Sequence, residues 1–111
     1  TALYFQEKGW NVSATMRTPS KEQELTQFKN VICPKLDVTD VESIKNAIKE
    51  TIEKFGDIDV IVNNAGYGLS GAFEGATEEQ IKKQFDTNVF GVMCVIREIL
   101  PLFRKNKKGL I

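Results

Sequence analysis

The most apolar run of the chain ends abruptly in amide and glycine residues. Residues 57–62 bring β-branched side chains together in close succession, and residues 63–68 follow with the sequence Asn-Asn-Ala-Gly-Tyr-Gly. A strand that is apolar on both faces is typical of a parallel sheet covered by helices. Ligands bind beyond the carboxyl ends of the strands in such sheets, so residues 63–68 are the first candidates for a binding site.

Two shorter strand patterns precede this run. Residues 2–8 indicate the last turns of a helix, and residues 11–16 then alternate between polar and apolar side chains, as a strand does. Residues 31–36 form the next apolar run, which Pro34 interrupts. Because proline cannot donate a hydrogen bond to a neighbouring strand, this strand is predicted at a sheet edge.

Two helices are predicted around these strands. Thr18, followed by proline, offers an N-cap for a helix that continues to about Phe28. Thr39 and Glu42 have the spacing of a capping box, which predicts a helix over residues 41–55 with one apolar stripe.

A long helix is predicted near the end of the chain. Thr77 and Gln80 again have the spacing of a capping box, and the helix runs from Glu78 to beyond Phe103. Its apolar positions are Ile81, Phe85, Val89, Val92, Val95, Ile96, Ile99, Leu100, Leu102 and Phe103. This stripe is too wide for one contact, so we expect a second face to pack on a partner.

The end of this helix carries three further signals. Pro101 predicts a kink within the helix. Gly109 is predicted to close the helix, and Leu110 with Ile111 resembles the opening of a fifth strand.

Composition narrows the function classes. Fifteen basic residues offset fifteen acidic ones, so no overall field favours nucleic acid or an anionic membrane. No apolar run approaches the about 18 residues that a membrane span needs. The absence of histidine excludes a Ser-His-Asp triad and the commonest zinc sites within these residues, and no metal is expected. Cys33 and Cys94 are expected to be buried free thiols, which suits a cytoplasmic protein.

The motif Asn63-Asn64-Ala65-Gly66 resembles the fourth-strand motif of the short-chain dehydrogenase/reductase family, whose members are NAD(P)-dependent enzymes on a Rossmann fold. The resemblance implies an α/β fold, a doubly wound parallel sheet in the order 3-2-1-4-5-6. Residues 1–111 would form a partial dinucleotide-binding domain with strands two to four, their flanking helices and the start of strand five.

The resemblance leaves strand one, the glycine-rich loop, the active-site serine and the Tyr-x-x-x-Lys pair outside these residues. Strand one belongs between strands two and four, so its removal opens a gap of roughly two 4.8 Å strand spacings. Two accounts stay open. The residues are one portion of a longer oxidoreductase, or they form a non-catalytic interaction module that binds through the helix 78–103. A third, a Rossmann-like methyltransferase, is disfavoured by the Asn63–Gly66 motif.

The resemblance assigns cofactor-binding roles to residues that follow strands two and three. Arg17 matches the position at which an arginine goes with NADP preference, because a guanidinium can hold the 2′-phosphate. Asp37 matches the acid that binds the adenine amine, and the backbone of Val38 would meet the ring. The alternatives are a solvated surface arginine and an aspartate that serves only the turn before a helix.

The remaining assignments lie after strand four and on the last helix. Asn64, Ala65 and Gly66 would pass beneath the cofactor, and Asn88 matches the helix asparagine of the family's catalytic group, which supports a water-linked proton relay. The alternative for Asn88 is a core amide that anchors the helix. Tyr67 lacks the Tyr-x-x-x-Lys context and is expected to line the substrate cleft.

The function that the resemblance implies is hydride transfer between NADP(H) and an alcohol or carbonyl substrate. The loop from Tyr67 to Phe73 is similar to those of members acting on lipophilic alcohols and ketones. Relatives commonly form dimers or tetramers through the helix that matches residues 78–103, so a homo-oligomer is expected.

Overall fold

The computed structural model describes all residues from 1 to 111, and the chain divides into two compact units, residues 1–58 and 59–111. The first unit contains helix α1 (Ala2–Glu7), strand β1 (Val12–Ser13), strand β2 (Val31–Ile32) and helix α2 (Val41–Phe55). The second unit contains helix α3 (Glu78–Phe85), a π-helical segment (Asp86–Gly91) and helix α4 (Val92–Asn106).

Strands β1 and β2 are parallel neighbours. Val12 is in register with Val31, and the pairing resumes further on as a single bridge between Met16 and Lys35. The regular ladder is therefore shorter than the predicted strands 11–16 and 31–36. Pro34 lies in the interrupted stretch, where it has no N–H to donate, although its carbonyl oxygen accepts from the Met16 amide at 3.2 Å.

The predicted helix from Thr18 to Phe28 is wrong. The structure has two short 3₁₀ turns there, Pro19–Lys21 and Leu25–Gln27, separated by extended backbone at Glu22. The Glu22 carboxylate accepts hydrogen bonds from the Glu24 and Leu25 amides at 2.8 and 2.7 Å. A side chain that competes with the backbone for these donors favours a turn over a helix.

Helix α2 begins as predicted, but its cap is a different residue. Asp40 is the N-cap, and its carboxylate accepts from the Glu42 and Ser43 amides at 3.0 and 3.3 Å. The predicted capping box led by Thr39 is wrong, because the Thr39 hydroxyl donates to Asp37 instead. Gly56 ends the helix with a φ of 86°, a backbone conformation that glycine adopts without strain.

Helix α2 supplies much of the buried surface of the first unit. The buried residues of this unit are Val31, Pro34, Ile44, Ala47, Thr51 and Ile58. The Thr51 hydroxyl donates to the Ala47 carbonyl oxygen at 2.7 Å, so its 2.8 Å contact with the Ser13 hydroxyl is one in which Ser13 donates. This bond ties β1 to α2.

The predicted long helix consists of three segments in the second unit. Thr77 and Gln80 form the predicted capping box, with bonds of 3.2 and 2.9 Å. The π-helical segment interrupts the α-helical pattern before α4, which continues past Pro101 to Asn106. Val95, Ile99 and Phe103 form a buried stripe along α4, at the three- and four-residue steps that the sequence predicts.

The end of α4 differs from the prediction. Lys107, and not Gly109, takes the left-handed conformation, with a φ of 54°. The Lys107 amide donates to the Arg104 carbonyl oxygen and the Lys108 amide to that of Phe103, both at 3.2 Å. These are the two bonds of a Schellman motif, which a lysine here completes in place of the usual glycine.

The strand-four run pairs with the start of strand five. Val60 and Leu110 form a parallel bridge, with the Ile61 amide donating to the Leu110 carbonyl oxygen at 2.9 Å and the Leu110 amide to that of Asp59 at 3.0 Å. The predicted opening of a fifth strand is therefore confirmed. The expectation of a strand buried on both faces is wrong for Val62, which is 55% exposed.

The cysteines and the lengths of the helices bear on two further expectations from the sequence. Both cysteines, Cys33 and Cys94, are free thiols, and both are half-buried. None of the helices is both long enough and apolar enough to span a membrane.

Candidate functional site

Three of the predicted cofactor-binding residues follow the paired strands of the first unit. Arg17 comes directly after Met16, and Asp37 and Val38 come two and three positions after Lys35, the residue that Met16 pairs with. The parallel pairing therefore brings them to the same carboxyl edge of the sheet, as the sequence predicts. Asp37 and Val38 are half-buried, while Arg17 is exposed.

Arg17 presents its guanidinium to solvent. It forms no hydrogen bond or ion pair within the chain. Its charge still acts on Asp37, since the two groups are close enough for Arg17 to help lower the pKa of that carboxyl group. An exposed guanidinium with unused donors is the chemical group that binds a phosphate well.

Asp37 sits in a hydrogen-bonded turn. Its Oδ1 accepts from both the Thr39 hydroxyl, at 2.7 Å, and the Thr39 amide, at 2.9 Å. These bonds to Thr39 are the main reason why the pKa of Asp37 lies below its ordinary value, and the positive charges of Arg17 and Lys35 lower it further. The group is therefore an ionised carboxylate at neutral pH.

The backbone of Asp37 is tied to helix α2 as well. Its amide donates to the Ser43 hydroxyl oxygen at 2.9 Å, and its carbonyl oxygen accepts from the Asp40 amide at 3.0 Å. Sequence reasoning missed both Thr39 and Ser43 as parts of this site. The sequence favours a helix cap as the role of Thr39, and no pattern in it singles out Ser43.

The second unit holds the other predicted residues. Asn64, Ala65 and Gly66 are exposed and follow the Val60–Leu110 pairing without regular secondary structure. The next residue, Tyr67, is held by Asn88 at two points. The Tyr67 amide donates to Asn88 Oδ1 at 3.0 Å, and Asn88 Nδ2 donates to the Tyr67 carbonyl oxygen at 2.7 Å.

Gly66 passes close to the same asparagine. A Cβ built on Gly66 would lie 3.0 Å from Asn88 Oδ1, which is tighter than ordinary contacts between carbon and oxygen. The loop after strand four therefore needs a residue without a side chain beside the amide. This is a specific physical reason for glycine at the last position of the Asn63–Gly66 motif.

Asn88 lies within the π-helical segment Asp86–Gly91 and is half-buried. Such π-helical turns inside α-helices occur frequently at functional sites. An asparagine side chain has two N–H donors and two acceptor lone pairs, and Tyr67 uses one of each. These two hydrogen bonds anchor the loop to the helix. The role of Asn88 in a proton relay stays a prediction.

Two features are typical of Rossmann-type α/β nucleotide-binding domains and define the class of this chain. One is the parallel pairing of β1 with β2, which helix α2 follows, and the other is the set of polar residues at the carboxyl ends of these strands. The family follows from comparison with known proteins. The family model described as short chain dehydrogenase matches residues 1–111. The chain belongs to the short-chain dehydrogenase family.

Individual relatives agree with this assignment. An uncharacterized oxidoreductase of Schizosaccharomyces pombe is 45% identical over 96 residues, which are 86% of this chain and 41% of the relative. A 3-ketodihydrosphingosine reductase of Bacteroides thetaiotaomicron is 38% identical over 111 residues, which are all of this chain and 39% of that enzyme. The chain thus spans about two fifths of the length of these curated relatives.

Solved structures show the same fold. A short-chain dehydrogenase from Streptomyces avermitilis superposes with a TM-score of 0.88 at 31% identity, covering 98% of this chain and 42% of that one. The structure of ElxO with NADP bound gives a TM-score of 0.87 at 30% identity, covering 98% and 47%. The predicted partial Rossmann fold is therefore confirmed.

Proposed function

We propose that these residues are the cofactor-binding part of an NADP(H)-dependent oxidoreductase that acts on an alcohol or carbonyl group. Family membership supports hydride transfer with a nicotinamide cofactor, which supplies the hydride when bound. The proposal of NADP over NAD rests on Arg17, whose exposed guanidinium has unused donors and lies at the carboxyl edge of the parallel strands.

The residues of the first unit fit the adenosine end of that cofactor. Arg17 would hold the 2′-phosphate through charge-assisted hydrogen bonds, and the ionised Asp37 would accept from the adenine amine. The backbone of Val38 would meet the ring. The bound NADP in the related structure of ElxO supports the phosphate-bearing form of the cofactor.

The residues of the second unit would let the protein backbone approach the cofactor closely. Asn64, Ala65 and Gly66 are exposed and small or polar, and the clamp between Asn88 and Tyr67 fixes the loop that carries them. Asn88 would thereby position this loop, in addition to the proton relay that the family resemblance implies. The serine, tyrosine and lysine of that chemistry would come from elsewhere in the enzyme.

We further propose a lipophilic substrate. The loop after Gly66 exposes Tyr67, Leu69 and Phe73, the last of which is 81% exposed. A cluster of exposed apolar side chains beside a predicted active site favours a substrate with an apolar body. The relative named 3-ketodihydrosphingosine reductase, by its name, acts on a long-chain ketone. The free thiols of Cys33 and Cys94 support a reducing, cytoplasmic location.

The cofactor proposal is tested by changing Arg17 to Asp and measuring dissociation constants for NADPH and NADH by calorimetry. Charge-assisted hydrogen bonds are worth about 1.5–3 kcal/mol, so NADPH affinity should fall about 10- to 100-fold. NADH affinity should stay the same or rise, because an acid can accept from the ribose 2′-hydroxyl.

Lys29→Asp is the matched control, since Lys29 is an exposed base of the same unit that lies just before β2, at the amino end of the parallel strands and not at their carboxyl edge. It makes the same change in net charge. The ratio of the dissociation constants for NADPH and NADH should stay within about twofold of that of the unchanged protein. An Arg17→Asp variant whose ratio also stays constant contradicts the role proposed for Arg17.

A further inference from the structure

We propose that Thr39 and Ser43 are positioning residues that hold the Asp37 carboxylate in place as the acceptor for the adenine amine of the cofactor. This inference rests on the proposed function, because it deepens the adenosine-binding role of the first unit. Neither residue would touch the cofactor. Each would act through Asp37.

The backbone of Asp37 is held by the first turn of α2. Ser43 lies in the first turn of α2, where the Asp40 carboxylate caps its amide at 3.3 Å. The Ser43 hydroxyl oxygen in turn accepts from the Asp37 amide at 2.9 Å. Asp37 is therefore attached to the start of a 15-residue helix and does not lie on a free loop.

The side chain of Asp37 is held by Thr39. Thr39 directs two donors, its amide and its hydroxyl, at the same oxygen of Asp37, at 2.9 and 2.7 Å. The other carboxylate oxygen, Oδ2, receives no hydrogen bond from the chain. Thr39 thus fixes one oxygen and leaves the other available to an external donor.

The Asp37 carboxylate carries a negative charge that strengthens it as an acceptor. The same Thr39 bonds lower the pKa of Asp37, so the available oxygen belongs to an ionised carboxylate, which accepts hydrogen bonds more strongly than a neutral acid does. A side chain that is already held in one conformation loses little freedom when a ligand binds. An exocyclic amine, with N–H donors and no charge, is the kind of group that suits this acceptor.

The test substitutes Thr39→Val, which keeps the β-branched shape and removes the hydroxyl donor. Binding is measured for NADPH and for its hypoxanthine analogue, in which a carbonyl oxygen replaces the adenine amine. The unchanged enzyme should bind NADPH more tightly than the analogue. Thr39→Val should weaken NADPH binding about three- to tenfold, the range expected for one hydrogen bond, and leave the analogue within about twofold.

Two further variants provide a second test and a control. Ser43→Ala should reproduce the selective loss, because it releases the Asp37 amide. Thr26→Val removes the hydroxyl of an exposed threonine that makes no hydrogen bond, and it should change neither affinity. A carbon-13 titration of the Asp37 carboxyl group should show a higher pKa in Thr39→Val and an unchanged one in Thr26→Val.

Three outcomes would overturn the inference. Equal weakening of both ligands in Thr39→Val means a general structural role. Equal affinity of the unchanged enzyme for both ligands means that nothing recognises the amine, although NADP preference over NAD then still stands. Failure of the unchanged enzyme to bind NADPH at all overturns the proposed function itself.

Discussion

At the scale of single residues, Asn88 makes the clearest link between sequence and site. Its amide uses one donor and one acceptor to hold the backbone of Tyr67, and Gly66 leaves room for it. Removing the amide should free the loop after strand four. The consequence is local, because the loop is exposed and its backbone groups can turn to water.

We therefore expect Asn88→Ala to speed hydrogen exchange of the Tyr67 amide and to lower the free energy of unfolding by about 1 kcal/mol. Asn88→Asp is the matched variant, since it keeps an acceptor for the Tyr67 amide but loses the donor to its carbonyl oxygen. Its Tyr67 amide should remain protected. Unchanged exchange at Tyr67 in Asn88→Ala would show that the clamp has no effect on the loop.

The sequence predicted which residues follow the strands but not how side chains meet across the chain. Arg17 and Asp37 could be placed because a strand pattern marks its own end. The pairing of Tyr67 with Asn88 spans 21 positions and depends on the register of a helix that contains a π-helical segment. No residue type marks such a segment, so periodicity alone could not place Asn88 against Tyr67.

At the scale of elements, the α4 terminus shows how one glycine permits a close contact. Gly109 has a φ of 152°, and a Cβ at this position would lie 2.2 Å from ring atoms of the buried Phe103. The glycine therefore lets the chain pass over the ring directly before Leu110 pairs with strand four. A side chain here would disturb both the ring and the pairing.

Gly109→Ala should destabilise the protein by more than about 2 kcal/mol, because the clash with Phe103 adds to the backbone strain. Gly71→Ala measures the backbone strain without the clash, since Gly71 has a similar φ of 145° but nothing within 4 Å of its Cβ position. It should cost about 1 kcal/mol. Thermal unfolding measures both, and equal losses would show that the Phe103 contact contributes nothing.

Element prediction succeeded for α2, where an apolar stripe marks the helix, and for the start of α3, where the predicted capping box is present. It failed for residues 18–28, where Leu25 and Phe28 are the only large apolar residues and the Glu22 carboxylate caps a 3₁₀ turn. It also failed at the α2 cap, because Thr39 and Asp40 are adjacent and both residue types cap helices. In the structure the Asp40 carboxylate accepts from the first turn of the helix, whereas the Thr39 hydroxyl donates to the Asp37 carboxylate.

At the scale of the whole molecule, the second unit exposes an apolar face that suits the homo-oligomer expected from the family resemblance. Phe85, Val89, Phe90 and Met93 are 41–53% exposed, and three of them recur at steps of four residues on one side of the helical run. The width of the apolar stripe predicted such a second face. We propose that it packs on another copy of the protein.

Val89→Glu should shift the protein toward the monomer in sedimentation velocity, because it places a charge within that contact. Lys83→Glu, on an exposed position of α3, changes charge in the same direction and more strongly, yet it should leave the assembly intact. An assembly that persists in Val89→Glu, or a wild-type monomer, would contradict the proposed interface.

The measurement that tests the account most directly is NADPH consumption by the enzyme over a series of ketones of increasing chain length. We predict turnover with NADPH, a lower kcat/KM with NADH, and a kcat/KM that rises with chain length, by up to about fourfold for each buried methylene. Equal use of both cofactors would contradict the role of Arg17. No NADPH consumption with any ketone, and no reverse reaction with the alcohols, would contradict the proposed oxidoreductase.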